Sequence, residues 1–180
     1  MSKSWKNIHQ MYVRYEGLFD FDGLYAAIVD WSKNFGYRWH EASYKHKVPS
    51  TKGAEQEFKW ILERDVDQLA SFKILIEAHT WDQMEVVIES DGKQKTLTNA
   101  RIEIVIKPSI SLDWQKRFKG GPWKIWDKVW EIYFKLVREE LELKYGDTLI
   151  YRLYGFQAML KKFFDMQSKN NAYKRYLGDN

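Results

Sequence analysis

The four histidines, His9, His40, His46 and His79, are the residues best suited to acid–base or metal chemistry near neutral pH. In a strand, His40 and His46 would project from the same face, because side chains alternate with a period of two. Their side chains would then lie about 20 Å apart, at about 3.3 Å per residue, so one metal ion cannot bind both. A site would need His79 or a carboxylate from a neighbouring strand. The sequence favours surface histidines, and it predicts no metal site and no cofactor.

Paired carboxylates are a second route to catalysis, since one can act as general acid and the other as general base. The candidates all fall on predicted strands: Glu41, Glu57, Glu63, Glu77, Glu85, Glu89 and Glu103. Most of them alternate with apolar residues, a pattern typical of solvent-facing side chains on a half-buried sheet. No two are marked as a catalytic pair. The sequence therefore predicts no catalytic residue and leans towards a protein that is not an enzyme.

Motifs for nucleophilic catalysis and phosphate binding are missing as well. The chain has no cysteine, which removes disulfides, thiolate zinc sites and cysteine nucleophiles. It also has no G-x-S-x-G, Walker A or dinucleotide-binding motif. Gly120-Gly121 follows basic residues and precedes a predicted helix, as in phosphate sites, but Pro122 removes one N–H donor from the first turn. We interpret the glycine pair as a hinge or tight turn.

The segment from Trp114 to Lys128 interleaves aromatic rings with positive charges and is the candidate binding site. Its members are Trp114, Lys116, Arg117, Phe118, Lys119, Trp123, Lys124, Trp126 and Lys128. A protein partner could bury the rings as hot spots inside a basic rim, which is the binding mode we favour. Nucleobases could instead stack on the rings, or the rings could lie at a membrane surface beside anionic headgroups. Alternatively, Trp123 and Trp126 anchor a helix in the core and the cations only solvate the loop.

Composition indicates one mildly basic domain. Of 180 residues, 44% are hydrophobic and 17% aromatic, which is enough for the core of a single domain. The net charge of +4 permits an anionic partner without requiring one. The first residues have no apolar secretory signal, and no apolar run reaches the roughly 18 residues of a membrane span. We therefore expect a cytoplasmic protein with no transmembrane segment.

Hydrophobic periodicity predicts the elements that would position these residues. Residues 11–16 alternate as a strand, which Gly17 ends. A helix follows, with Asp22 as its N-cap and Gly36 ending it in a left-handed conformation. The buried stripe of this helix would be Leu24, Ile28, Trp31 and Phe35.

A run of antiparallel strands comes next. The predicted ranges are 37–48, 57–65, 72–77, 84–89 and 102–106. Asp91-Gly92 predicts a hairpin turn, because both residues tolerate positive φ. Thr98-Asn99-Ala100 predicts a second turn, and the last strand stops before Pro108, because proline has no N–H for the ladder. Alternatively, Ile110, Leu112 and Trp114 extend this strand past a bulge.

Two amphipathic helices are predicted near the C-terminus. The first begins at Pro122 and ends at Gly146, and Asp147 caps the second. Their apolar stripes are Trp126, Trp130, Tyr133, Val137 and Leu141, then Leu149, Leu153, Phe156, Leu160 and Phe163. The expected fold is α+β: a curved antiparallel sheet of about six strands, one helix after the first strand, and two helices at the C-terminal end. Residues 1–167 would form a single domain and residues 168–180 a polar, flexible tail with a second basic-aromatic cluster.

Short stretches of the chain resemble a group of small uncharacterised archaeal proteins. These are Tyr15-Glu16-Gly17-Leu18-Phe19, Gly23-Leu24-Tyr25, Ile102-Glu103-Ile104-Val105-Ile106 and Asp113-Trp114. The resemblance implies an intracellular domain of prokaryotic type and brings no known activity. The order of elements is also similar to helix-grip folds, in which a sheet wraps a long C-terminal helix around an apolar cavity.

Three functions fit the sequence. The first is a non-enzymatic binding or scaffolding domain of an intracellular assembly, which grips a protein through the segment 114–128. The second is a small-ligand carrier or enzyme with an apolar cavity between the sheet and the C-terminal helices. The third is a nucleic-acid or membrane-surface binder, whose binding would weaken steeply with salt. The sequence assigns no oligomeric state.

Overall fold

The protein is an α+β domain whose main element is an antiparallel sheet, as the sequence predicts. A computed structural model describes residues 3–5, 8–50, 53–90, 93–112, 115 and 125–166. In these ranges the strands are β1 Lys3–Trp5, β2 Met11–Phe19, β3 Arg38–Ser50, β4 Gly53–Asp65, β5 Ala70–Ser90 and β6 Lys93–Leu112. The helices are α1 Phe21–Asn34, α2 Ile125–Leu141 and α3 Thr148–Phe163, and a π-helical turn, Glu142–Asp147, joins α2 to α3.

Strands β3 to β6 form a meander, and β1 and β2 pair side by side with the far edge of β6. Because β1 and β2 share one position across the sheet, the described strands make a sheet five strands wide. All neighbouring pairs are antiparallel. Helix α1 carries the chain from β2 at one edge to β3 at the opposite edge, and it follows the second strand rather than the first.

One face of the sheet is covered and the other is open. On the covered face, the central strands place isoleucines such as Ile74, Ile76 and Ile104 in a fully buried layer. Helices α1 and α3 pack over this layer, and the Trp31 ring of α1 lies 4.5 Å from the Phe156 ring of α3. Buried and accessible residues alternate over 70–81 in β5 and over 97–112 in β6, and less regularly in β4, because side chains in a strand have a period of two.

Several predicted strand ends are wrong, and the predicted strands 72–77 and 84–89 are parts of one strand, β5. Strand β2 runs through Gly17, whose φ of +141° suits glycine, and β6 runs through Thr98-Asn99-Ala100. Pro108 also lies inside β6, opposite Ile74. It is tolerated there because β2 pairs with β6 only up to Ile106 and β1 only from Ile110, so β6 has a described partner on just one side at Pro108.

The ends of α1 are set by two short-range features. The N-cap is Asp20 rather than Asp22, because an Asp20 carboxylate oxygen accepts a bond of 2.9 Å from the Gly23 amide. This bond, with the Lys95 ammonium, lowers the pKa of Asp20. The prediction for Gly36 is confirmed, since its φ is +71° and its amide donates to Lys33.

The junction between α2 and α3 differs from the prediction. Gly146 does not end a helix and the Asp147 side chain makes no cap bond, because the chain passes through the π-helical turn without a break. The stripe predicted for α3 is confirmed, with Leu149, Leu153 and Phe156 fully buried. The predicted flexible tail, 168–180, lies outside the described residues.

Candidate functional site

Most of the predicted basic-aromatic segment lies outside the described residues. This holds for Trp114, Lys116, Arg117, Phe118, Lys119, Trp123 and Lys124. Trp126 and Lys128 fall in the first turns of α2, and the Lys128 side chain is exposed. The segment therefore leads directly into α2, and its role in binding stays a prediction.

One side of α2 joins the core near the C-terminal end of the helix. Val137 is half-buried against the core and Leu141 is buried, as the predicted stripe requires, whereas Tyr133 of the same predicted stripe is 46% exposed. Tyr145, in the π-helical turn, continues this side and is buried as well. The packing of Val137, Leu141 and Tyr145 thus anchors the C-terminal end of α2 to the core of the protein.

A second apolar side of α2 faces solvent, and we call it the α2 stripe. Its four residues are Val129, Ile132 and Leu136 in α2 and Leu143 in the π-helical turn. Their exposed fractions are 46%, 62%, 79% and 66%, in chain order. Isolated exposed apolar residues are normal on protein surfaces, but a row of large ones along one helix makes this surface a candidate interaction site.

The sequence also contains a pattern for the α2 stripe, which is easily overlooked because the predicted stripe runs along the same helix. Apolar residues at positions 125, 129, 132, 136 and 143, with Glu139 between the last two, follow the alternating spacing of four and three that marks a coiled-coil seam. Sequence reasoning selected only the stripe from Trp126 to Leu141. Helix α2 is apolar around more than half of its circumference, so it carries both.

The charges beside the α2 stripe have mixed signs. Lys128 lies near the N-terminal end of α2, Lys135 lies past its middle, and Glu139 and Glu140 lie towards its C-terminal end. All four side chains are exposed. The described surface around the stripe is therefore neither a basic patch nor an acidic one.

A buried hydrogen bond ties the end of α2 to the sheet. The Tyr145 hydroxyl donates to an Asp67 carboxylate oxygen at 2.6 Å, and Asp67 also accepts from the amides of Leu69 and Ala70 in the β4–β5 loop. Burial and this bond raise the pKa of Tyr145 to about 12. For Asp67, burial opposes ionisation, but the bonds from Tyr145 and the loop amides outweigh it and lower the pKa.

The open face of the sheet is covered with paired charges. Glu77 contacts Lys107 and also lies 3.2 Å from Lys59, while Arg14 lies 2.7 Å from Glu103. The solvent-facing role predicted for these strand glutamates is thus confirmed at Glu77 and Glu103. Glu41 is an exception, because it accepts a bond of 3.1 Å from the indole N–H of Trp60 on the covered face.

His79 lies beside two carboxylates on this open face. Its Nε2 is 2.7 Å from a Glu55 oxygen, and Glu57 is its direct partner across β4 and β5. The three ligand atoms lie within 4.8 Å of one another, as in a metal site. However, the Lys47 ammonium lies 2.7 Å from Glu55 and 3.7 Å from Glu57, where a metal cation would have to bind. Lys47 and then His79 lower the pKa of Glu55.

The other strand histidines do not share a face, contrary to the prediction. A register shift between Glu41 and Ser43 in β3 reverses the alternation of side chains. His40, opposite Ile61, projects from the open face, and His46, opposite Gln56, projects from the covered face. The structure therefore brings only His79 of the described histidines to a pair of carboxylates.

Trp81 stands between two surface clefts on the open face. Its ring stacks on His79 at 3.8 Å, and the Arg101 guanidinium lies 5.9 Å from the ring. The two clefts have volumes of about 400 Å³ each and share Trp81 and Glu103 as walls. A third cleft of about 340 Å³ lies beside Asp20. None of these three lies between the sheet and α3, where an apolar cavity is expected from the sequence, and that cavity stays a prediction.

Comparisons of the chain with models of known protein families and with curated proteins found no match. Among the described residues, no helix is both long and apolar enough to cross a membrane.

Proposed function

We propose that this chain is a non-enzymatic docking domain that holds a helix of a protein partner along the α2 stripe. The observation that carries the proposal is the exposure of four large apolar side chains at coiled-coil spacing. The basic-aromatic segment, 114–128, leads along the chain into the N-terminal end of α2.

Burying the α2 stripe would stabilise a complex substantially. Full burial of a valine, leucine or isoleucine side chain contributes about 1.5–3 kcal/mol relative to leaving it exposed. Leu136 and Leu143 retain most of their area in the isolated chain. A helix with its own apolar seam would pack knobs into holes against these side chains, which gives the surface a preferred occupant.

The charges around the α2 stripe favour a protein over an anionic polymer or a membrane surface. Nucleic acids and anionic headgroups attract a concentrated patch of Lys and Arg. Here Glu139 and Glu140 flank the stripe together with Lys128 and Lys135. A partner with complementary charges of both signs fits this surface, and a uniformly negative partner does not.

Site-specific photo-crosslinking in cells that express the protein would test the proposal. We expect Leu136→p-benzoylphenylalanine to form adducts with one protein, mapped to a segment that has apolar residues at spacings of three and four. Tyr151→p-benzoylphenylalanine is the matched control, because Tyr151 is 73% exposed on α3, away from the stripe. Adding Ile132→Asp should abolish the Leu136 adducts. Adducts scattered over unrelated proteins, or equal yields at both positions, would contradict docking.

A further inference from the structure

We propose that the partner on the α2 stripe is a second copy of this chain, with the two α2 helices antiparallel. This inference rests on the proposed docking function and names its partner. It is carried by the order of residues along the α2 seam, which places Glu139 against Val129 and beside Lys128 when one helix is reversed, while the exposed Lys135 lies beside its own copy near the two-fold axis.

The spacing of the stripe fits an antiparallel pair. With the two-fold axis near residue 134, Ile132 packs against the second copy's Leu136, and Leu136 packs against the second copy's Ile132. The stripe extends over about 21 Å from Val129 to Leu143, at about 1.5 Å per residue. This length gives several successive layers of side chains across the pair, as helix pairing requires.

Glu139 decides the direction of the partner. It occupies a seam position of the four-three series, between Leu136 and Leu143. In a parallel, in-register pair, two Glu139 carboxylates would face each other across the seam and repel. In the antiparallel pair, Glu139 faces the second copy's Val129 and lies beside the second copy's Lys128. The two-fold symmetry creates this opposite-charge contact twice.

The contact between Lys128 and Glu139 cannot form inside one chain. The residues are eleven positions apart on one helix, which corresponds to about 16 Å along its axis. Any energetic coupling between them therefore reports contact between two chains. Both side chains are exposed, so substitution does not disturb the core.

Charge exchange, followed by light scattering and sedimentation of the purified protein, tests the contact. We expect the unaltered chain to form dimers, and Lys128→Glu or Glu139→Lys alone to raise the dissociation constant about tenfold or more, since each creates two like-charge contacts. The double variant Lys128→Glu/Glu139→Lys should dimerise again. Mixing the two single variants should give a heterodimer, because all its contacts are of opposite sign. Lys162→Glu, an exposed change on α3, is the matched control and should leave dimerisation unchanged.

Engineered disulfides test the direction separately. Because the chain has no cysteine, each variant carries a single thiol. Oxidation of a mixture of Val129→Cys and Glu139→Cys chains should give the mixed disulfide dimer in excess, since a disulfide needs Cα atoms within about 7 Å. Disulfides within each variant alone would indicate parallel helices and overturn the antiparallel arrangement.

Two further outcomes separate this inference from the docking function. A purified chain that stays monomeric at high concentration, while Leu136 still crosslinks to a different protein, would overturn the second copy and leave docking in place. A monomer whose Leu136 forms no protein adduct would overturn both. Dimers that persist unchanged in Lys128→Glu and in Glu139→Lys would place the interface elsewhere and contradict the inference.

Discussion

Helices α2 and α3 have similar apolar patterns but very different environments. In α3, the stripe is buried against α1 and the sheet, and its residues are Leu149, Leu153, Phe156 and Leu160. In α2, Val137 and Leu141 join the core, whereas Ile132 and Leu136 on the other side are mostly exposed. Amphipathicity alone does not distinguish a structural helix from a docking helix. The distinction depends on whether the described body of the protein covers the apolar side.

The open face of the sheet supports the same distinction. Charged residues on this face lie beside residues of opposite charge, as at Glu77 and Glu103. The α2 stripe instead leaves large apolar areas in water. Each prediction below changes one helix, or the tie between α2 and the sheet.

The largest effect is expected in α3. Phe156→Ala should lower the free energy of unfolding by about 3–5 kcal/mol, because it removes a fully buried ring that packs 4.5 Å from Trp31. Urea unfolding followed by circular dichroism measures the change. Tyr154→Ala, on the exposed side of the same helix, should change the free energy by less than about 0.5 kcal/mol. Equal losses in both variants would mean that α3 is not packed as described.

An intermediate effect is expected at the tie between α2 and the sheet. Tyr145→Phe should lower the free energy of unfolding by about 1 kcal/mol, because Asp67 loses the hydroxyl that donates to it. Hydrogen exchange should accelerate in α2 more than in α3, since the bond holds the end of α2. Tyr151→Phe, which removes an exposed hydroxyl on α3, is the control.

The same bond predicts a pH dependence at the alkaline end. Because the folded protein raises the pKa of Tyr145 from 10.0 to about 12, the unfolded chain ionises first and the stabilisation decreases as pH rises from 10 to 12. Below pH 10 the contribution is fully present. Burial also raises the pKa of Tyr37, so the test is the difference between wild type and Tyr145→Phe. If this difference stays constant up to pH 12, the Tyr145 hydroxyl does not carry the effect.

The smallest effect on folding is expected in the α2 stripe. Leu136→Ala should change the free energy of unfolding of the dilute, monomeric chain by less than about 0.5 kcal/mol, because the side chain is 79% exposed. Leu153→Ala, at a fully buried position of α3, should cost about 2–5 kcal/mol. A large destabilisation by Leu136→Ala in the monomer would show that the stripe belongs to the core.

Periodicity in the sequence predicted most of the fold. The alternation in β2, the first three residues of the α1 stripe and the stripe of α3 locate buried side chains correctly, because burial on one face requires a period of two or 3.6. Phe35, the last residue of the predicted α1 stripe, lies beyond the helix and is 41% exposed. Strand ends were less predictable. Pro108, Asn99 and Ala100 are poor strand formers locally, but pairing along β5 keeps them in β6. The reversal at Glu41–Ser43 depends on register, which no local pattern in β3 specifies.

The candidate site was only partly predictable. The sequence pointed to the region that leads into α2, including Lys128. It identified Val137 and Leu141 as the apolar stripe of α2, but it did not identify the exposed stripe, which contains Val129, Ile132 and Leu136. Both sets have helical spacing, and only three-dimensional packing shows which one the core uses. The Glu55 carboxylate near His79 was also missed, because their proximity depends on the pairing of β4 with β5.

The π-helical turn at Glu142–Asp147 gives the junction between α2 and α3 a mechanical role. The two helices are joined by the π-helical turn without an intervening loop. We therefore expect a rotation of α2 to be transmitted to α3. Leu149 and Leu153, just beyond the turn, are locked in the core, and Tyr145 is bonded to the sheet. We therefore expect the junction to be stiff, so that a partner bound to α2 as proposed would be held at a fixed angle to α3.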